Sequence, residues 1–360
     1  MICLEPTIAL SWISHLLSYM DYFGWTLSNR LFTGDKNWLE AMEIGRDKKK
    51  GEFEPDKEGW LLIIQKVQKT LEYSGLNVQM GPALHLAPNI LPLLINLELD
   101  DELRSAVAEY RTKNPIQLSM HARHADDELV NSPRFPSIFA DDIEYATKCN
   151  VRSLVEHPPI GTENTITETV SILSSDWFCI LLEKNPDITL AWENKADYAH
   201  KRRFFGSIAR MVEFHNTLDD KLHEIGKKHL IKRHQFCFDT GHLLIWRGTA
   251  ESKNDADKEI EEYLPEFARH IKVYHFQAND GIIDGHVTPF STKFFDHKSR
   301  TRMQLDRMGE NFEIIENWIK ICNHSPHPNE QHYFLEAGTL PFSLDQYSEF
   351  ASKLYQILNA

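Results

Sequence analysis

Eight short apolar segments, each rich in β-branched or aromatic residues, recur along the chain with stretches of helical spacing between them. This alternation limits the fold more than any other feature. The segments are 2–10 (ICLEPTIAL), 76–84 (LNVQMGPAL), 115–121 (PIQLSMH), 152–157 (RSLVEH), 188–194 (ITLAWEN), 234–239 (HQFCFD), 271–276 (IKVYHF) and 332–338 (HYFLEAG). Helix-like text separates them, as at 138–149, 204–218 and 312–322. Eight such strand–helix units predict an α/β fold of the (β/α)8 TIM barrel type, with its site at the C-terminal ends of the strands. The alternative, an open doubly wound sheet, normally carries a glycine-rich phosphate loop, and no GxGxxG or GxxxxGK[ST] follows any segment. With 360 residues and no low-complexity linker, the expectation is a single domain over 1–360. Two stretches exceed a plain barrel, 45–59 (GRDKKKGEFEPDKEG) and roughly 287–311, and are read as insertions after the first and seventh strands.

Composition narrows the function. A formal charge of −14 argues against tight binding to undamaged duplex nucleic acid or to an anionic membrane, both of which depend on excess Lys and Arg. The five cysteines are odd in number, far apart and without a CxxC pair, which fits reduced thiols in a cytoplasmic protein. The N-terminal stretch IALSWISHLLSYMDYFGW is broken by His15 and Asp21, so it reads as an amphipathic helix rather than a leader or a membrane span.

The ends of the segments carry the chemistry. The third ends in His121, the fourth in His157, the fifth in Glu193, the sixth in Asp239, the seventh in His275 and the eighth in Glu336. Each alone reads as a core imidazole or a salt-bridged carboxylate. At the mouth of one barrel, however, several buried carboxylates need compensation, and metal ions are the usual remedy. After Asp239 comes Thr240-Gly241-His242, where the glycine is expected to turn the chain so that His242 points back at the site. Asp284 and His286, in the pattern DGH, add two candidates. Five histidines and four carboxylates exceed the three or four ligands of one zinc and imply two or three ions. Mixed imidazole and carboxylate donors favour Zn2+, with Mn2+ or Mg2+ as alternatives.

At these residues the chain resembles the xylose isomerase-like TIM barrels and, within them, the endonuclease IV (apurinic/apyrimidinic endonuclease family 2) branch. The likeness is carried by His157-Pro158-Pro159, Glu193-Asn194, Asp239-Thr240-Gly241-His242, His275 with Asn279-Asp280, Asp284-Gly285-His286 and Glu336-Ala337. The chain departs from that branch, and at one position from the epimerase type. His275 lies two residues further from its Asn-Asp pair, a spacing closer to ketose epimerases, and Gly281 stands where epimerase relatives place an arginine. Ala122-Arg123-His124-Ala125-Asp126-Asp127 stands where the nucleases have DNA-penetrating aromatic and apolar residues. A second register is open for the late pair, because Asp306-Arg307-Met308 also resembles the family segment.

The resemblance implies a metal-dependent hydrolase of phosphoester bonds. Its ligands would be His121, His157, Glu193, Asp239, His242, His275, Asp284, His286 and Glu336, with Glu193 and Glu336 bridging metals and orienting the attacking water. Its substrate would be damaged DNA or a phosphorylated or sugar-like small molecule. Basic clusters at Arg46 to Lys50, Lys201 to Arg203 and Lys298 to Arg302 suit an anionic ligand, or are ordinary solvated surface. The rival enzyme is a sugar isomerase or epimerase with one divalent metal on Glu193, Asp239, His275 and Glu336. A barrel that binds metal without catalysis is the third reading.

Overall fold

The computed structural model describes residues 3–9, 79–80, 83–85, 105, 109, 119–122, 135–148, 151–160, 165–196, 204–284, 287–290, 308–326, 331–335 and 344–359. Nine strand pieces form one parallel sheet: β1 (Cys3–Ala9), β2 (Gln79–Met80), β3 (Ala83–His85), β4 (Ser119–His121), β5 (Ser153–Glu156), β6 (Thr189–Glu193), β7 (His234–Asp239), β8 (Ile271–Phe276) and β9 (His332–Leu335). They pair in the order β2-β1-β3-β4-β5-β6-β7-β8-β9, and β1 pairs with β9 as well. Both β2 and β3 face β1 in one unbroken register, Cys3 opposite Gln79 and Ala9 opposite His85. They are therefore two pieces of the single segment expected at 76–84, flanking Gly81-Pro82, and proline brings no N–H to a ladder.

Parallel neighbours need long crossovers, and from β4 onward described helices lie between the strands. The described helices are α1 (Phe135–Lys148), α2 (Ile166–Leu173), α3 (Asp176–Lys184), α4 (Ile208–Glu224), α5 (Thr240–Thr249), α6 (Lys253–Ala268), α7 (Met308–His324) and α8 (Leu344–Leu358). The stretch expected to be helical from 204 divides: Phe204–Gly206 is a 3-10 turn, and Ser207 then caps α4 by accepting the Arg210 N–H. The hydroxyl satisfies one of the orphan donors of the first turn, which is why the α-helix starts there.

Period-two alternation sorts the strand residues onto two faces. Leu154, Leu190, Trp192, Phe236, Phe238, Tyr274 and Phe276 join the large core under the helices. On the opposite face Val155, Ala191, Cys237 and Val273 form a separate small cluster. The core face also fixes a tautomer: the Trp192 indole N–H donates to His234 Nδ1 at 3.1 Å, and the two rings stack with centroids 5.9 Å apart.

Beyond Ala9, the N-terminal amphipathic stretch lies outside the described residues, as do the insertion 45–59, residues 291–307 and all three basic clusters. No described helix is long and apolar enough to cross a membrane. Cys179, Cys237 and Cys322 are buried free thiols.

Candidate metal centre

The apolar cluster of the second face positions the polar one. Two residues beyond Val155, Ala191, Cys237 and Val273 come His157, just past β5, and Glu193, Asp239 and His275 on their own strands, so the alternation that buries the first set carries the second to the same side at the strand ends. His121 ends β4 beside them.

Glu193 is the hub, with its side chain 1% exposed. Its Oε2 lies 2.9 Å from His121 Nε2 and 3.2 Å from His157 Nε2. Its Oε1 lies 2.9 Å from His275 Nδ1 and 3.8 Å from His242 Nδ1. Burial pushes the Glu193 carboxyl up, but the charge of His275 and the hydrogen bonds from His121, His157 and His275 overcome it and hold the group well below the usual carboxylate range. His157 goes the other way: burial outweighs the Glu193 contact and lowers it to about 4. His157 and Asp284 are the most exposed of these side chains, at 15% and 30%, and mark where the centre meets solvent.

The imidazole hydrogen bonds indicate which nitrogens are available as donors to an ion. His121 Nδ1 donates to the Ala122 carbonyl at 2.8 Å, and His242 Nδ1 to the Asn194 carbonyl at 2.7 Å. In the neutral tautomer each Nε2 then carries a lone pair, and each faces a carboxylate: Glu193 for His121, and Asp284 at 3.5 Å for His242. A lone pair aimed at a carboxylate calls for a cation between them, either a proton or a metal ion. Burial disfavours the charged His242 ring, yet Asp239, Asp284 and Glu193 raise it well above the ordinary histidine value. A ring N–H on a backbone carbonyl with the other nitrogen turned to carboxylates is the arrangement of metal-ligating histidines, so the donor set fits a divalent ion.

Sequence reasoning missed several supports. Asn194 acts as an extra ladder rung: its Oδ1 accepts the Asp239 N–H at 2.8 Å and its Nδ2 donates to the Asp239 carbonyl at 2.9 Å. Asp239 caps α5, its Oδ1 accepting the His242 N–H at 2.7 Å. The expectation of a turn at Gly241 is thereby corrected: Thr240-Gly241-His242 is the first turn of α5, and Gly241 is not among the positive-φ residues. Helix geometry brings His242 back over Asp239.

The Asn279-Asp280 pair builds a turn. Asn279 Nδ2 donates to the Gly241 carbonyl at 2.9 Å, and its Oδ1 accepts the Gly281 N–H. Asp280 Oδ1 accepts the N–H groups of Ile282 and Ile283, both at 3.0 Å. Gly281 has φ +79°, and its carbonyl presses on Gly248 of α5, where a Cβ would meet the oxygen at 2.1 Å. This turn returns Asp284 to His242. Gly248→Ala should therefore lower stability by about 1–3 kcal/mol in denaturant unfolding, and an unchanged midpoint would mean that the turn is not seated there.

His286, Glu336 and Asp306 lie outside the described residues, as do Arg123 to Asp127, and Met308 opens α7. The buried Cys237 sulfur lies within 4.8 Å of donor atoms of Glu193 and His275, but burial pushes its thiol up, opposing the thiolate a metal would need.

No family model and no curated protein matches the chain. Among solved structures it is similar to endonuclease IV from Thermus thermophilus, at 15% identity over 82% of this chain and 93% of that one, with a TM-score of 0.47. It is also similar to an IolI protein with a zinc atom, at 14% identity over 82% and 92%, TM-score 0.48, and to a D-tagatose 3-epimerase-like protein, at 14% over 77% and 89%, TM-score 0.47.

Proposed function

We propose that the chain is a cytoplasmic, divalent-metal-dependent hydrolase of phosphoester bonds, built as one closed (β/α)8 barrel over 1–360 with insertions after its first and seventh strands. The parallel pairing of β1 with both β3 and β9 supports closure. The observation that carries the reaction class is the divided use of Glu193, whose Oε2 faces His121 and His157 while Oε1 faces His275 and His242. A carboxylate with a separate imidazole set on each oxygen is suited to bridge two ions, and one ion does not need both sets.

Two or three zinc ions held by His121, His157, Glu193, Asp239, His242, His275 and Asp284, with His286 and Glu336 completing the set, would supply a Lewis acid for a phosphate oxygen and an acidified water. Glu193, kept ionised by its histidines, would help to hold the ions and to orient that water. Asp239 is fixed at its backbone by Asn194 and at its carboxylate by the helix it caps, so it is pre-set rather than recruited. The half-buried edge at His157 and Asp284 admits an anionic ester of a sugar-like small molecule or a damaged nucleotide.

The spacing from His275 to Asn279 favours a second reading, the single-metal sugar isomerase or epimerase. It leaves His121 and His157 without a role, and buried Gly281 at φ +79° cannot present the arginine such relatives carry there. Metal analysis of protein purified without chelator separates the readings: between two and three equivalents are expected, and one would support the isomerase. Asp284→Ala with His286→Ala should remove about one equivalent without unfolding the chain. Unchanged content in that variant, with Asp306→Ala reducing it, would move the late ligand pair to the other register. The holoprotein should hydrolyse a phosphodiester such as bis(p-nitrophenyl) phosphate or nick abasic DNA. Failure on both, with isomerisation of a ketose, would overturn the assignment.

A further inference from the structure

Asp239 has a second partner that no motif marks. Gln277 is fully buried two residues beyond His275, continuing the alternation of β8 past the end of the strand. Its Nε2 donates to Asp239 Oδ2 at 3.1 Å. The opposite amide orientation would set Oε1 against a carboxylate oxygen, acceptor on acceptor, so chemistry fixes the donor towards Asp239. Thr240 locks the Gln277 backbone, its hydroxyl donating to the Gln277 carbonyl at 2.6 Å and accepting the Gln277 N–H at 3.2 Å. Across from the amide stands Gly241, where a Cβ would lie 2.4 Å from both Cδ and Oε1 of Gln277. Since Gly241 is not at positive φ, backbone conformation does not require glycine there. Its missing side chain is the space the amide fills.

From these contacts we infer that Gln277 is a positioning residue for Asp239, and that Gly241 serves the centre by leaving room for it. The inference rests on the metal reading above. With Oδ1 held by the α5 N-terminus and Oδ2 by Gln277, the Asp239 carboxylate cannot rotate, and its remaining lone pairs keep one direction. Gln277 Oε1, buried with no partner among the described residues, is the polar group left over from placing the donor. Hydrogen bonds of this kind to ligating groups typically change metal affinity about 10–100-fold.

The test uses full-length protein stripped of metal and titrated with Co2+, read by visible d–d absorption and by competition with a chromophoric chelator. Gln277→Met keeps the approximate volume and removes the donor. It should weaken one Co2+ equivalent about 10–100-fold and alter the d–d band, while thermal unfolding of the metal-free protein shifts little. Gln277→Ala is the second variant and should weaken the same equivalent. Gly241→Ala should weaken it in the native background yet add no further loss in the Gln277→Ala background, because the clashing amide is gone. Native affinity and spectrum in both Gln277 variants, or additive losses in the double variant, would overturn the inference. No Co2+ uptake by the unsubstituted protein would overturn the metal reading and this inference together.

Discussion

Glu193→Ala is expected to leave a folded protein that takes up almost no metal and has no turnover above background. Every candidate ion-holding group among the described residues includes this side chain: one with His121 and His157, one with Asp239 and His242, and one with Cys237 and His275. Its loss removes a negative charge that all four neighbouring imidazoles approach. Ligand binding to the native state stabilises it by about 4 kcal/mol when the free ion is about 1,000 times its dissociation constant. The unsubstituted protein should therefore melt several degrees higher on metal addition, and Glu193→Ala should not respond. Glu193→Gln, which keeps the volume, should behave like Glu193→Ala because the charge is what is missing. A full metal complement in either variant, or undiminished turnover in Glu193→Ala, would mean that Glu193 neither holds the ions nor serves the reaction.

Much of the fold was legible because buried parallel strands are short apolar runs that stop abruptly. The segments at 234–239 and 271–276 match β7 and β8 residue for residue, and those at 152–157 and 188–194 overrun only at their ends. The overruns have a physical cause. Asn194 sits just past β6, where its side chain takes over the pairing: the amide continues the contact with Asp239 that a ladder would have made. The second segment could not be divided from sequence because both pieces share one register.

The centre was readable where charge or a ring nitrogen marks a strand end, and opaque where main-chain atoms do the work. Nothing in the letters indicates that the carbonyls of Ala122 and Asn194 fix the tautomers of His121 and His242. Gln277 went unnoticed because a neutral amide is no ligand candidate, although counting in twos from Val273 through His275 reaches it. Gly241 reads as a turn from sequence alone, since the letters show that glycine is present but not which neighbour needs its space.

Outside the centre, two buried imidazoles should make the protein acid-labile. His215 and His234 are each lowered to about 3, burial being the first cause, with His270 beside His215 and with His215 and Arg233 beside His234 adding to it. The His215 and His270 rings lie 4.0 Å apart, and burial lowers His270 against the opposing charges of Glu266 and Asp219. Protonating His234 would also displace the Trp192 N–H from its Nδ1. A histidine whose folded value is depressed gives its full stability above the unfolded value of 6.5 and loses it as pH falls towards the folded one. Between those limits the unfolded chain binds the extra proton, so each imidazole withdraws about 1.4 kcal/mol per pH unit. Urea unfolding of His215→Leu and His234→Phe should therefore show a stability difference from the unsubstituted protein that shifts in the variant's favour by about 1.4 kcal/mol for each unit of acidification below about pH 6.5. The pH-independent cost of each substitution cancels in that slope. Parallel stability curves for the three proteins would mean that both rings titrate alike in the folded and unfolded chain, and acid lability would then have to come from the carboxylates.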